Sequence, residues 1–417
     1  MAEVQPAQAP GTDGAGRGLG WRLAAYFASV FGLVGVTLPF WPVYLSSRGL
    51  DAAQIGLLLS TALWLKVLVN PLVAQWADRR GLRRRPMMAL CLIALAGYGS
   101  VALAGGFPAI LAAGVVGMVA MAAVLPLGEN LVLTMVYRHG LDYGRLRLWG
   151  SVSFILVSLV VGPLLGGRGA MVILAAMLAL VAAAFFACRA LPPRVRATMD
   201  DGQPSAADAA PAGAPLPGLL GNRLFLLFLV TASLGQASHA VLYGFGSLTW
   251  RGAGISDGMI GWLWSEGVIA EIVLFWLGAR LLERIGVAGL LALGAAAGVV
   301  RWTAYGIGVG LPALLVLQVL HAFTFGATHL GAMHFLARAV PAPWSATAQS
   351  LYTAVSGGIV MGLATMAGAA LYQRVAAEAF LAMTAMCAVG LALALVLARR
   401  WDGGVLTGGP TAEERGR

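Results

Sequence analysis

Residues 49–84 read GLDAAQIGLLLSTALWLKVLVNPLVAQWADRRGLRR. A short turn (Gly49–Gln54) opens onto an apolar run from Ile55 to Trp76 that carries one lysine, Lys66, and closes on Asp78-Arg79-Arg80-Gly81-Leu82-Arg83-Arg84. The pattern returns 205 residues later: Gly49, Ile55, Gly56, Ala74, Asp78, Arg79 and Gly81 meet Gly254, Ile260, Gly261, Ala279, Glu283, Arg284 and Gly286. Leu-on-Leu matches mean little in apolar sequence. An acid-Arg-x-Gly step and a glycine pair in one register mark an internal duplication.

The apolar run is typical of the chain. Hydrophobic residues make up 59% of it and charged ones 11%, against roughly 25% charged in a soluble domain. A membrane helix needs about 20 mainly apolar residues, and such runs follow one another here. We expect an all-α integral membrane protein with twelve spans near 21–45, 53–76, 86–105, 108–136, 146–167, 169–188, 222–246, 256–279, 287–308, 311–336, 346–370 and 377–399. Residues 1–20 are expected to be a disordered tail, 21–190 and 222–400 two six-helix bundles, 191–221 a flexible linker, and 401–417 a second disordered tail.

Arginine sets the expected orientation. One set of connections holds Arg79, Arg80, Arg83, Arg84, Arg85, Arg138, Arg145, Arg147, Arg189, Arg194, Arg196, Arg280, Arg284 and Arg338; the opposite set holds only Arg48, Arg168, Arg251 and Arg374. The positive set is expected to be cytoplasmic, and with it both termini. Both copies of the repeat end on the same side, so the duplication is parallel, about an axis along the membrane normal. The net charge of +10 is thus a topology signal, and no phosphate-tracking groove for nucleic acid is expected. Cys91, Cys188 and Cys387 lie far apart inside apolar runs and show no metal-ligand spacing. No Gly-x4-Gly-Lys-Ser/Thr loop occurs, which argues against ATP-driven chemistry.

The loop Asp78-Arg79-x-Gly81-x-Arg83-Arg84, two six-span halves and the linker between them resemble the major facilitator superfamily, with Ala74 where that family usually has glycine. Pro39-Phe40-Trp41-Pro42 and Tyr143-Gly144-Arg145-Leu146-Arg147 narrow the resemblance to the lactose-permease and phenylpropionate-permease branch over residues 21–400. The resemblance implies a monomeric transporter of the inner (plasma) membrane that binds a small molecule, needs no cofactor beyond a proton gradient, and works by alternating access. It also implies a cytoplasmic gate at Asp78, Arg79, Gly81, Arg83 and Arg84, with Glu283 and Arg284 in the second copy. The same arginines also serve as topology signals.

Ionisable groups inside a span are costly and usually face a cavity or a partner. Here they are Lys66, Glu129, His239, Glu266, Glu271, Arg301, His321, His329 and His334. Lys66 and Glu271 are repeat mates of opposite charge, so we expect them to face one another, directly or through substrate. The alternative is local pairing within each half. The resemblance places Glu129 and Arg147 at a substrate site, with Ser151 and Phe154 where the family has a small thiol and a stacking tryptophan. A helix-end ion pair is the structural alternative for Glu129 and Arg147. Proton coupling is expected at Glu271, Glu266, Arg301 and His321, because the family's acids fall at Thr324 and Val268 in this chain. Cation plus aromatic residues suit a small aromatic carboxylate; a sugar or nucleoside, or export in place of import, are the alternatives.

Overall fold

The computed structural model describes residues 14–192 and 215–406. Ten helical runs among them are long and apolar enough to cross a membrane. In the first half these are α1 (Gly14–Ser47), α2 (Ala52–Arg79), α3 (Arg84–Leu103), α4 (Phe107–His139), α5 (Tyr143–Arg168) and α6 (Met171–Ala190). A short α7 (Pro215–Gly221) precedes α8 (Arg223–Gly252), α9 (Asp257–Gly306), α10 (Leu311–Ala339) and α11 (Ala342–Arg400). No strand occurs among the described residues.

At about 1.5 Å per residue, α9 and α11 are far longer than one ~30 Å crossing. Each fuses two of the expected spans and bends between them. Gly286 (φ 67°, ψ −178°) breaks α9, and Ala376 (φ 48°) breaks α11. Short π-helical turns at Leu242–Gly246, Ala322–Ala327 and Val355–Val360 interrupt α8, α10 and α11.

The repeat is visible as geometry. Gly49 and Gly254 turn with φ of 82° and 80°, a conformation that suits glycine because it has no Cβ. Asp51 and Ser256 then cap α2 and α9, accepting from the Gln54 and Met259 amides. Folded structure extends into both expected tails and the expected linker. α1 begins at Gly14, inside the expected tail. α7 occupies the end of the expected linker, whose residues 193–214 lie outside the described set, as do 1–13. Residues 401–406 dock: the Leu406 amide donates to the Ala339 carbonyl at 2.7 Å, and Trp401 packs 4.7 Å from Phe335. Residues 407–417 of the second expected tail are not described.

Helices α1–α6 pack on one another, as do α8–α11, and the two groups meet chiefly along α2 with α11 and α5 with α9. These seams lie toward the arginine-poor end. A Cβ on Gly56 would strike that of Ala369, and one on Gly261 would strike the Ser158 carbonyl, so only glycine permits so close a crossing. The Ala53 amide donates to Gln373 Oε1 at 3.0 Å and the Trp64 indole to the Ile359 carbonyl at 3.4 Å across the same seam. Among the described residues the arginine-rich end shows no such closure. Asp78 pairs with Arg83 of its own loop, and its side chain is 55% exposed. Glu283 and Arg284 are exposed and make no ion pair among the described residues.

Candidate substrate and coupling site

Between the two groups of helices lies a cavity of about 360 Å³. Its first wall is built by α1 and α5. Ser153 and Ser158 donate from α5 to the Ala28 and Gly35 carbonyls of α1, at 2.6 and 2.8 Å. That pins one face of α5 and leaves Arg147, Ser151 and Phe154, spaced i, i+4, i+7, to line the cavity with Phe31. Arg147 Nε stands 3.6 Å from Glu129 Oε1, and its guanidinium lies 3.8 Å from the Phe31 ring centroid. Glu129 therefore backs the arginine and is not among the lining residues.

The second wall belongs to α8, α9 and α10. Arg301 is 1% exposed; burying a guanidinium is costly unless its donors are met, and here both terminal nitrogens are met while Nε has no hydrogen-bond partner. Nη1 donates to Thr324 Oγ1 at 3.1 Å and to His321 Nδ1 at 3.3 Å, and Nη2 donates to Gln318 Oε1. Gln318 also accepts from the Tyr305 hydroxyl at 2.6 Å and donates to the Leu263 carbonyl at 2.6 Å.

The donor rules fix the tautomers. A guanidinium cannot accept, so His321 Nδ1 is the acceptor and a neutral ring carries its proton on Nε2. That nitrogen faces Glu271 Oε2 at 3.5 Å. His239 Nδ1 donates to the Gln236 carbonyl at 3.1 Å, so its Nε2 accepts from the Thr324 hydroxyl at 3.0 Å. The imidazole of His321 thus sits between an acid at the cavity and a guanidinium behind it, and Thr324 links that guanidinium to a second histidine. Phe325 stacks between His321 and His329, at 5.4 and 6.0 Å.

Of the expected residues, the cavity collects Arg147, Ser151, Phe154, Glu271, Arg301 and His321. Two do not join it. Glu266 lines a separate lateral cavity of about 710 Å³ with Arg280 and Arg284. The reason is helical phase: Gly267, Val268 and Glu271 share one face of α9, and Glu266 lies on the opposite one. Lys66 is on the α2 face of Leu59 and Leu63, but it makes no ion pair among the described residues and does not line the cavity. The expected Lys66–Glu271 contact is absent; His321 is the partner of Glu271. Gln318, Tyr305, His239 and Thr324 form the network without having been assigned to it. Gln318 was signalled as the one amide in an otherwise apolar run, three residues before His321.

The profile of the MFS_1 like family matches residues 20–382. This chain belongs to that family. It is a major facilitator transporter and a multi-pass protein of the inner (plasma) membrane. The transporter is 33% identical over 355 residues to a protein of Escherichia coli named probable 3-phenylpropionic acid transporter, covering 85% of this chain and 91% of that one. It is 30% identical over 385 residues to a maltose permease of Geobacillus stearothermophilus, covering 90% and 93%. Its fold matches the crystal structure of the nucleoside transporter NupG with a TM-score of 0.76 at 17% identity, covering 92% of this chain and all of that one.

Proposed function

We propose that this transporter is a proton-coupled symporter of a small aromatic carboxylate, with twelve crossings and both termini in the cytoplasm. Ten apolar runs of which two fold back at Gly286 and Ala376 support the count. The arginine-rich end supports the orientation. On that reading the outer seam is closed and the cytoplasmic end open, which corresponds to one state of alternating access. Rocking of residues 21–190 against 222–400 would exchange it for the other, with Asp78–Arg84 and Glu283–Arg284 meeting at the cytoplasmic end.

The single observation that carries the substrate reading is that Arg147 faces a cavity whose wall also holds the rings of Phe31, Phe154, Tyr243, Trp264 and Phe325. A guanidinium forks onto a carboxylate with two N–H donors, and the rings take the apolar remainder. The relative named for 3-phenylpropionic acid supports the same class. Glu271 is the proposed proton carrier, since it is the carboxyl that lines the cavity and it meets the His321 ring at 3.5 Å.

A maltose-like sugar is the second reading. It is favoured by the Glu129–Arg147 pair, which could accept and donate to hydroxyls together, and by the permease relative. Calorimetric titration of the purified protein separates the two. Saturable binding of 3-phenylpropionate and none of maltose is expected. Binding of maltose alone would overturn the aromatic-acid reading.

A further inference from the structure

The frame that aligns Gly49 with Gly254 also aligns Arg48 with Ala253 and Tyr44 with Thr249. These aligned residues do different things. Arg48 turns back into the end of its own half. Nη1 donates to the Val101 carbonyl at 2.7 Å and to the Tyr44 hydroxyl at 3.0 Å, and Nη2 donates to the Ala104 carbonyl at 2.9 Å. Its guanidinium carbon lies 5.9 Å from the Tyr44 ring centroid. A side-chain cation thereby meets carbonyls at the end of α3, the negative end of that helix dipole.

In the second half Ala253 supplies no such group, and the corresponding place is open. A cavity of about 420 Å³ lies among the ends of α8, α9 and α11, with Ala253 exposed at it. Four rings line it, Trp250, Tyr305, Tyr372 and Phe380, beside the aliphatic Leu248, Val309 and Leu314. Trp250 and Tyr305 meet edge to face at 6.1 Å, and Tyr305 and Phe380 at 5.3 Å. The Thr249 and Tyr372 hydroxyls, hydrogen-bonded at 3.1 Å, add oxygens to the same wall. No Lys, Arg, Asp or Glu lines it. Ala376, held at φ 48°, also borders the cavity; non-glycine residues in that region gather at ligand sites.

We propose that this pocket binds a small organic cation, a guanidinium or alkylammonium group, in the place that Arg48 fills in the other half. Aromatic faces attract such cations, the C-terminal end of the second limb of α9 presents the negative end of a helix dipole, and no Lys or Arg lines the pocket, the Arg301 guanidinium lying outside the lining at 5.5 Å from the Tyr305 ring centroid. The occupant would touch Tyr305, whose hydroxyl donates to Gln318 at 2.6 Å. Gln318 is in turn held by Arg301. The site therefore borders the central network from the arginine-poor side while lying outside the central cavity.

The test is calorimetric titration of the detergent-purified full chain with butylguanidinium and with its neutral counterpart butylurea. Butylguanidinium is expected to saturate one site with a Kd at least about tenfold below that of butylurea. Ala253→Arg, which copies the Arg48 plug, and Ala253→Leu, which fills the space without charge, are both expected to abolish binding. The exposure of Ala253 lets both fold, and an unchanged melting temperature checks it. Equal binding of butylurea overturns the proposal, and so does binding that survives in either folded variant. Loss of binding in Glu271→Gln while Ala253→Leu still binds would place the cation in the central cavity and overturn it as well.

Discussion

Gly56 and Gly261 hold the same place in the two halves of the transporter, and so do Lys66 and Glu271. The first pair is unchanged between the copies; the second is opposite in charge. Both glycines sit at close crossings between the halves, where any side chain would collide. The charged pair carries no such constraint. Glu271 is tied to His321, Arg301 and Thr324, while Lys66 has no ion pair among the described residues. The duplicated scaffold thus keeps its contact geometry and divides its chemistry. The first half offers one guanidinium, on Arg147, with rings around it; the second offers a buried hydrogen-bonded network ending on one carboxyl.

If that division is right, the largest loss comes from Arg147→Ala. Two charge-assisted hydrogen bonds to a carboxylate are worth about 3 kcal/mol, so substrate affinity should fall roughly 100-fold in a binding titration. Arg147→Lys should recover little, because an ammonium lacks the fork. Next is Gly261→Trp. The indole cannot share the Ser158 carbonyl's place, and overpacking of this kind costs ~1–3 kcal/mol. The arginine-poor end should then open, seen as longer distances between spin labels on α5 and α9, while Gly261→Ala gives a smaller shift of the same sign.

Glu129→Gln sharpens the comparison from the other side. Glu129 competes with a bound carboxylate for Arg147, so its neutral amide should tighten 3-phenylpropionate binding by about threefold to tenfold. A sugar bound by both side chains would instead be lost. The smallest effect is expected for Lys66→Met. Transport should change less than about twofold, and the melting temperature should rise by ~1–3 °C, since an unpaired, partly buried ammonium costs more than a thioether of similar size.

Much of this was legible in the amino-acid sequence. Apolar runs, the arginine loops and the repeat at Gly49 and Gly254 gave the helices and their duplication, because membrane solvent leaves the backbone few options. Arg147, Ser151 and Phe154 were placed together by the family resemblance, and they share one face of one helix. Pairing across helices was harder to read. Lys66 and Glu271 are equivalent in sequence, yet equivalence places two side chains on matching faces and not in contact. Glu266 is five residues from Glu271 and points the other way. His321, Phe325 and His329, spaced i, i+4, i+8, stay stacked through the π-helical turn at Ala322–Ala327, so that row was legible. Gln318 carries no charge to mark it in an apolar run, yet a buried amide must find partners as a buried charge must.

The division of labour between the halves is tested most directly by uptake of labelled 3-phenylpropionate into proteoliposomes with an alkaline interior. The unmodified protein should accumulate the acid above its external concentration. Glu271→Gln should lose that accumulation while still exchanging labelled for unlabelled acid at a rate within about threefold of the unmodified protein. Accumulation by Glu271→Gln equal to that of the unmodified protein would contradict a coupling carboxyl in the second half.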